Sequence, residues 1–369
     1  MAEIFLVPLL NNLNLYTPTD PTYGRYLLPQ SPAELELERD PAVKVRSRRV
    51  FVNYTGDGTG KGDWGEDVQL SAREVETGVG KEWLFYKVWE CDGDVRRGEV
   101  GDGCDLVMIH GLDCYGGKYA PHVRRFLDLG YRIIIPDLPS HGRSTGVHSH
   151  IDSANQLSDA VYHVLKDRET WSPKTRKTFL IGSSMGGWTC LSYCLRYPSD
   201  QYFPIDGVFA IAPLIGVAPE TLPHPITIQV ARVLRFFAGR LPLSPGVKGN
   251  LHSDPIVEEE SDADPLGYHG HLRVATGLAL LEGFTTVGHQ AHLWTHPLRI
   301  IHGSHDRSTS HTHSVDWFER AGGCDKQCEI YEGYEHVMLK VGVDEADDEE
   351  RQRVLRDMEL WLGERAKLS

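Results

Sequence analysis

Short apolar runs, each ending in a polar loop, recur along the chain at residues 106–109, 132–136, 178–181, 207–211, 299–302 and 329–331. Successive side chains of a strand point to opposite faces, so an uninterrupted apolar run suits a strand buried on both. Helical or inserted segments separate these runs, and that alternation predicts a mostly parallel sheet covered by helices. Trp83, Phe85, Lys87 and Trp89 fall at every second position and predict an antiparallel edge strand entering the core. Asp152 or Ser153 is expected to cap the helix running toward Lys166, and Val354, Leu355, Met358 and Leu362 give the last helix one apolar face.

Two stretches interrupt this rhythm. Residues 1–80 form an N-terminal extension rich in Pro, Gly and charge, without repeats. Between residues 211 and 299 the spacing is too long for a simple crossover, and an inserted cap over about 214–288 fits. Within it Ile226, Val230, Val233, Leu234 and Phe237 share a helical face, with Arg232 and Arg235 elsewhere, as in a lid over an apolar pocket. Packing of that face against the core is the favoured reading and membrane contact the alternative. The core then comprises residues 81–213 and 289–369.

The chemistry concentrates at Gly182-Ser183-Ser184-Met185-Gly186. An apolar run precedes it and a helix-compatible segment follows, the context of a nucleophile elbow that leaves Ser184 projecting from a sharp turn. Gly182, Gly186 and Gly187 supply the lack of bulk such a turn needs. The acid and base should follow the serine, each just after a strand. Asp306, after the run at 299–302, and His336, after the run at 329–331, meet that condition. His336 would take the Ser184 proton, while Asp306 fixes the imidazole tautomer and stabilises the imidazolium. Asp316 and Glu335 are weaker alternatives for the acid, and His305 points the other way if its loop is extended. The developing oxyanion would be held by the backbone N–H of Met185 and that of Leu112, which follows the strand ending in His110-Gly111.

Further matches are Met108 to Tyr119, with its trailing Gly-x-Tyr, Pro136-Asp137-Leu138-Pro139-Ser140-His141-Gly142-Arg143-Ser144, Asp264-Pro265-Leu266, and Ile330 to Lys340. From about Trp83 to Leu362 the chain resembles the monoacylglycerol lipase group of the α/β-hydrolase superfamily. The resemblance implies an α/β-hydrolase fold with a helical cap, acyl transfer through a Ser184–His336–Asp306 triad and no cofactor. It also marks departures. Ser140 stands in place of a glycine, and Ser183 in place of a histidine beside the nucleophile. Cys114 and Leu339 occupy positions where monoglyceride-cleaving relatives carry a Glu and a His that meet the glycerol hydroxyls, and Lys118 stands at the position of an Arg. A site that has lost hydroxyl partners loses discrimination for hydroxyls.

A chain of 369 residues with 40% apolar content can build one large α/β domain with insertions. A net charge of −14 disfavours nucleic acid and anionic membranes as partners. The acidic run from Glu345 to Glu350 reads as a solvated helix start. Seven cysteines without a framework fit a reduced, cytoplasmic setting; Cys190 and Cys194 read as core residues, and Cys324 and Cys328 lack a second pair. His269 and His271, and His311 and His313, lack zinc spacing, so no metal is expected. The apolar run Ile4 to Leu10 is broken by Pro8 and is too short to span a bilayer. The expected protein is a cytoplasmic serine hydrolase acting on a small-molecule ester, lactone or lipid. A monoacylglycerol lipase proper and a peptidase or amidase are the enzymatic alternatives, and a non-catalytic ligand-binding member of the fold is the other class.

Overall fold

The computed structural model describes residues 9–10, 13, 15, 20–52, 64–67, 82–92, 98–172, 175–219, 221–244, 246 and 249–367. Most of the run Ile4 to Leu10 lies outside them. In chain order the strands and helices are α1 (Pro32–Arg39), β1 (Val43–Val52), β2 (Trp64–Asp67), β3 (Glu82–Cys91), β4 (Cys104–Ile109), α2 (Ala120–Asp128), β5 (Arg132–Pro136), α3 (Asn155–Trp171), β6 (Lys177–Ser183), α4 (Met185–Arg196) and β7 (Gly207–Ile211). After these come α5 (Pro225–Ala238), β8 (Pro242–Ser244), α6 (Ile256–Ala263), β9 (Leu272–Arg273), α7 (Val274–His289), β10 (Leu298–Gly303), α8 (His311–Arg320), β11 (Lys326–Tyr331) and α9 (Glu349–Ala366).

Nine strands make one sheet in the order β11-β10-β7-β6-β4-β5-β3-β1-β2. The six strands from β11 to β5 are parallel, whereas β3, β1 and β2 are added by antiparallel pairing. This is the α/β-hydrolase fold. The apolar runs are explained by burial on both sides. Val107 and Ile109 of β4 face a cluster with Val161, Val164, Trp188 and Leu191 of α3 and α4. Leu106 and Met108 face the opposite cluster, with Val123 and Phe126 of α2 and Val354, Met358 and Leu362 of α9.

Three expectations need correction. β3 is not an edge strand, because β1, from the N-terminal extension, pairs with it along its whole length from Val43↔Cys91 to Val52↔Glu82. Nothing in the alternation of β3 can reveal a partner that far upstream. The helix toward Lys166 is capped later than either suggested residue: Ala154, one position after Ser153 and two after Asp152, is the N-cap and contributes no side-chain hydrogen bond. Instead the Gln156 side-chain oxygen accepts the N–H groups of Asp152 and Ser153, both at 3.2 Å. Third, the apolar face of α5 does not pack on the core. Ile226, Val230, Val233 and Phe237 are exposed, as is Phe236, and Phe236 and Phe237 retain 86% and 78% of their accessible surface. Leu234 alone of the expected face is half-buried.

At the amino ends of the parallel strands the fully buried carboxylate of Asp105 is bound by three arginines: Arg132 at 2.8 and 2.6 Å, Arg168 at 2.9 Å and Arg176 at 2.6 Å. Burial opposes its charge, but the Arg132 hydrogen bonds and the neighbouring guanidinium charges bring its carboxyl below the ordinary range. A depressed carboxyl contributes stability that is present above the unfolded value and lost as pH falls through the folded one. We therefore expect Asp105→Ala to destabilise the protein by about 3–5 kcal/mol, because it strands buried cations. Wild-type stability should also decline below about pH 4, the unfolded carboxyl range, with a smaller decline in the variant. Denaturant titration of both proteins across pH checks this.

Candidate active site

Six parallel strands ending on one edge leave their following loops side by side, and the candidate residues come from those loops. Ser184 follows β6 directly and is the N-cap of α4, with φ 55° and ψ −119°. Positive φ is uncommon for a residue with a side chain. The sharp reversal is locked by its N–H bonding to Ile211 O at 2.9 Å and its carbonyl accepting Leu214 N–H at 3.0 Å. A methyl group at Gly186 would collide with the Ile109 carbonyl oxygen, and one at Gly182 with the Gly186 backbone. Ser184 is partly exposed, and its neighbours Met185 and Trp188 are buried. Asp113, Ser140, Ser149 and Ala212 also sit at positive φ in the loops after β4, β5 and β7, so the strain gathers along this edge. Ser140, the serine at a glycine position, has φ 66° and is held there by donating to His150 O at 2.6 Å.

The loop after β4 comes close to the serine. A methyl group on Gly111 would lie 3.4 Å from Ser184 Cβ and 4.0 Å from its Oγ. As the first residue of α4, Met185 has no carbonyl within the helix to receive its N–H. His110 orders the other side. Its Nε2 accepts Leu138 N–H at 2.9 Å, so the proton resides on Nδ1, which donates to Gly111 O at 2.7 Å. Burial lowers the imidazole to about 3, and the ring stays neutral.

Asp306 and His336 are brought together by β10 and β11, with Nδ1 of the imidazole 2.7 Å from Oδ2 of the carboxylate. Oδ2 also accepts His302 Nε2–H at 3.1 Å and Thr309 Oγ1–H at 2.8 Å, while Oδ1 accepts the N–H groups of Ser308 and Thr309 at 2.7 and 2.8 Å. Burial works against the carboxylate. His336 beside it and the hydrogen bonds from His302 and His336 nonetheless pull the carboxyl far below its usual range. Burial lowers His302, so its ring is neutral, with Nε2–H given to Asp306 and Nδ1 accepting Ser314 Oγ–H at 2.9 Å. The sequence reading missed His302 and Thr309. Their signal was proximity, four residues before and three after the acid, which by itself singles out nothing.

Of the alternative acids, Asp316 is exposed, and Glu335 accepts Ser253 N–H; His305 is exposed. Cys114 is partly exposed, and burial of its thiol pushes it up to about 11, so it is neutral at physiological pH. Lys118 pairs with Asp264 at 2.7 Å, and Tyr115 donates to the same carboxylate at 3.0 Å, tying the loop after β4 to the segment between α6 and β9. Leu339 is half-buried against the apolar cluster under α9. Among the described residues no three His, Cys, Asp or Glu gather as metal ligands.

Residues 105–340 match the model of the serine aminopeptidase S33 family. The chain is 27% identical over 285 residues to the monoacylglycerol lipase of Mycolicibacterium smegmatis, covering 77% of this chain and 94% of that protein. It is 29% identical over 310 residues to the caffeoylshikimate esterase of Arabidopsis thaliana, covering 82% and 88%. Among solved structures, a soluble variant of the Saccharomyces cerevisiae monoglyceride lipase with a substrate analogue superposes with a TM-score of 0.65 at 20% identity, covering 78% of this chain and 93% of that one. The monoacylglycerol lipase of Paleococcus ferrophilus gives 0.63 at 23% identity, covering 76% and 99%.

Proposed function

We propose that this chain, which belongs to the serine aminopeptidase S33 family of α/β-hydrolases and is a lipase- or esterase-type serine hydrolase, cleaves a carboxylic ester or lactone through an acyl-enzyme on Ser184. The observation that carries the reading is the Asp306–His336 contact at 2.7 Å on the edge where Ser184 sits in a strained turn. With Nδ1 engaged by Asp306, Nε2 is left to take the serine proton as Oγ attacks the carbonyl carbon. The Leu112 and Met185 N–H groups would hold the oxyanion. Collapse expels the alcohol with the proton from His336, and water then repeats the sequence to release the acid. A family name that refers to aminopeptidases favours a second reading, cleavage of an aminoacyl amide, which the same three groups would serve.

The residues at the positions that meet glycerol in monoglyceride-cleaving relatives support a less polar leaving group here. Cys114 offers a neutral thiol, Leu339 an apolar side chain, and the Lys118 ammonium is engaged by Asp264. A bound diol would find few charge-assisted partners there, each worth about 1.5–3 kcal/mol. The exposed face of α5 supports contact of the cap with a lipid surface, since contiguous exposed apolar surface marks interaction sites. That helix carries Arg232 and Arg235 and no acidic residue, unlike the chain as a whole. All seven cysteines are free and no helix among the described residues is long and apolar enough to cross a membrane. The free thiols support a reduced, cytoplasmic setting, which fractionation of the source cells would check.

Ser184→Ala and His336→Ala should each lower kcat on an ester by roughly four to six orders of magnitude, and a fluorophosphonate should label the wild type but not Ser184→Ala. Turnover by folded Ser184→Ala protein would end this assignment. On substrates with the same acyl chain, kcat/KM for a monoacylglycerol should not exceed that for the ethyl ester, and Cys114→Glu with Leu339→His should shift the ratio toward the monoglyceride. A wild-type preference for the monoglyceride of roughly tenfold, about the least that one charge-assisted bond to the glycerol head would supply, would favour a monoacylglycerol lipase proper. Finally, the protein should sediment with phosphatidylcholine vesicles. Phe236→Ser with Phe237→Ser should abolish this while leaving hydrolysis of a short soluble ester intact; sedimentation unaffected by the two changes would show that α5 is not the contact.

A further inference from the structure

Residues 20–39 lie ahead of the stretch that matches the family model, yet they are wedged against the loop after β4, which carries Leu112, and the loop after β5. Arg25 is 3% exposed and its guanidinium is given to three carbonyls of the loop after β5: Nε to Gly142 O at 2.8 Å, and Nη2 to Ser144 O at 2.7 Å and Gly146 O at 3.0 Å. Pro21 O accepts Gly146 N–H at 2.9 Å, and Leu28 O accepts Arg143 Nη2–H at 3.1 Å. On the other side, the buried Glu34, ion-paired to Lys87 at 2.7 Å, fills the space beside Gly117, where any methyl group would strike its carboxylate. Asp137 joins the two loops, accepting Gly116 N–H at 2.8 Å and Arg143 N–H at 2.7 Å.

A chain of contacts leads from Arg25 to the reacting centre. The loop that Arg25 holds contains Leu138, whose N–H fixes His110; His110 in turn fixes the Gly111 carbonyl. A trans peptide is planar, with its C=O and N–H pointing in opposite directions, so the direction of Gly111 O sets that of Leu112 N–H. We infer that the segment from Pro21 to Glu34 is a clamp that aims the Leu112 N–H at the oxyanion, with Arg25 as a positioning residue acting through the loop after β5 and His110. The inference rests on the hydrolase reading above and gives part of the N-terminal extension a place in that reaction.

The loss of aim should appear in the transition state and not in substrate binding. Arg25→Met should lower kcat on a p-nitrophenyl ester by roughly tenfold or more with KM within about twofold, short of the 10²–10³ that deleting an oxyanion donor costs. Inhibition by an alkyl trifluoromethyl ketone, which forms a hemiketal oxyanion on the serine, should weaken in the same proportion. Arg25→Lys, keeping the charge and fewer donors, should fall between the two, and carries the test alone if Arg25→Met does not fold. Arg25→Met with His110→Ala should lose no more than His110→Ala does by itself. Unchanged kcat in the Arg25 variants, a loss seen only in KM, or losses that multiply in the double variant would overturn the inference while leaving an active wild type. A wild type without turnover or fluorophosphonate labelling would overturn the hydrolase reading and this inference with it.

Discussion

The site depends on how closely three pieces of backbone approach one another at the end of β6. Gly186 lies against the carbonyls that end β4, Gly182 against the first turn of α4, and Gly187 against Pro213 after β7. Side chains at these positions would push the elbow away from the neighbouring loops, and the Ser184 backbone could not be held at positive φ by the Ile211 and Leu214 hydrogen bonds. The strain is local, of order 1–3 kcal/mol for such a residue, and is sustained by a sheet whose strands are buried on both faces. With the elbow in place, Gly111 is brought within van der Waals distance of the serine.

Buried charge is handled in two ways. At the amino edge of the sheet Asp105 is neutralised by Arg132, Arg168 and Arg176, an arrangement that ties β4, β5 and α3 together far from the site. At the carboxyl edge Asp306 meets no arginine among the described residues. Its two oxygens are satisfied by five hydrogen bonds from backbone, hydroxyl and imidazole groups. That difference suits a structural anchor at Asp105 and the role proposed for Asp306. A guanidinium beside Asp306 would compete for its charge, whereas neutral donors keep the carboxylate ionised and leave its field directed at His336.

The segment between β7 and β10 shows how the same periodicity can serve opposite surroundings. α5 presents Ile226, Val230, Val233 and Phe237 outward, and α7 buries Ala275, Leu278, Ala279 and Val287 against the core. Both are apolar helices in an inserted segment. Only their neighbours differ: Gly283 lets α7 approach Trp188 and Ala154 closely, while α5 rests mainly on its Ile228, Leu234 and Ala238 side.

Local order made much of this protein readable from its residues. Unbroken apolar runs placed β4, β5, β6, β7, β10 and β11 to within a few residues, because a strand covered on both faces needs no polar alternation. Gly182, Gly186 and Gly187 marked the turn around Ser184, and position after a strand selected Asp306 and His336, which lie 2.7 Å apart. Tertiary structure alone decided what depends on pairing between distant residues. It made β3 an interior strand by bringing β1 beside it, set His302 and Thr309 on the Asp306 carboxylate, and turned the apolar face of α5 to solvent. It also inserted Arg25 among the carbonyls of a loop more than a hundred residues away. The physical reason is common to all four: periodicity records which faces of an element are apolar and a glycine records where bulk is excluded, but neither records which other part of the chain arrives to cover the face or satisfy the polar group.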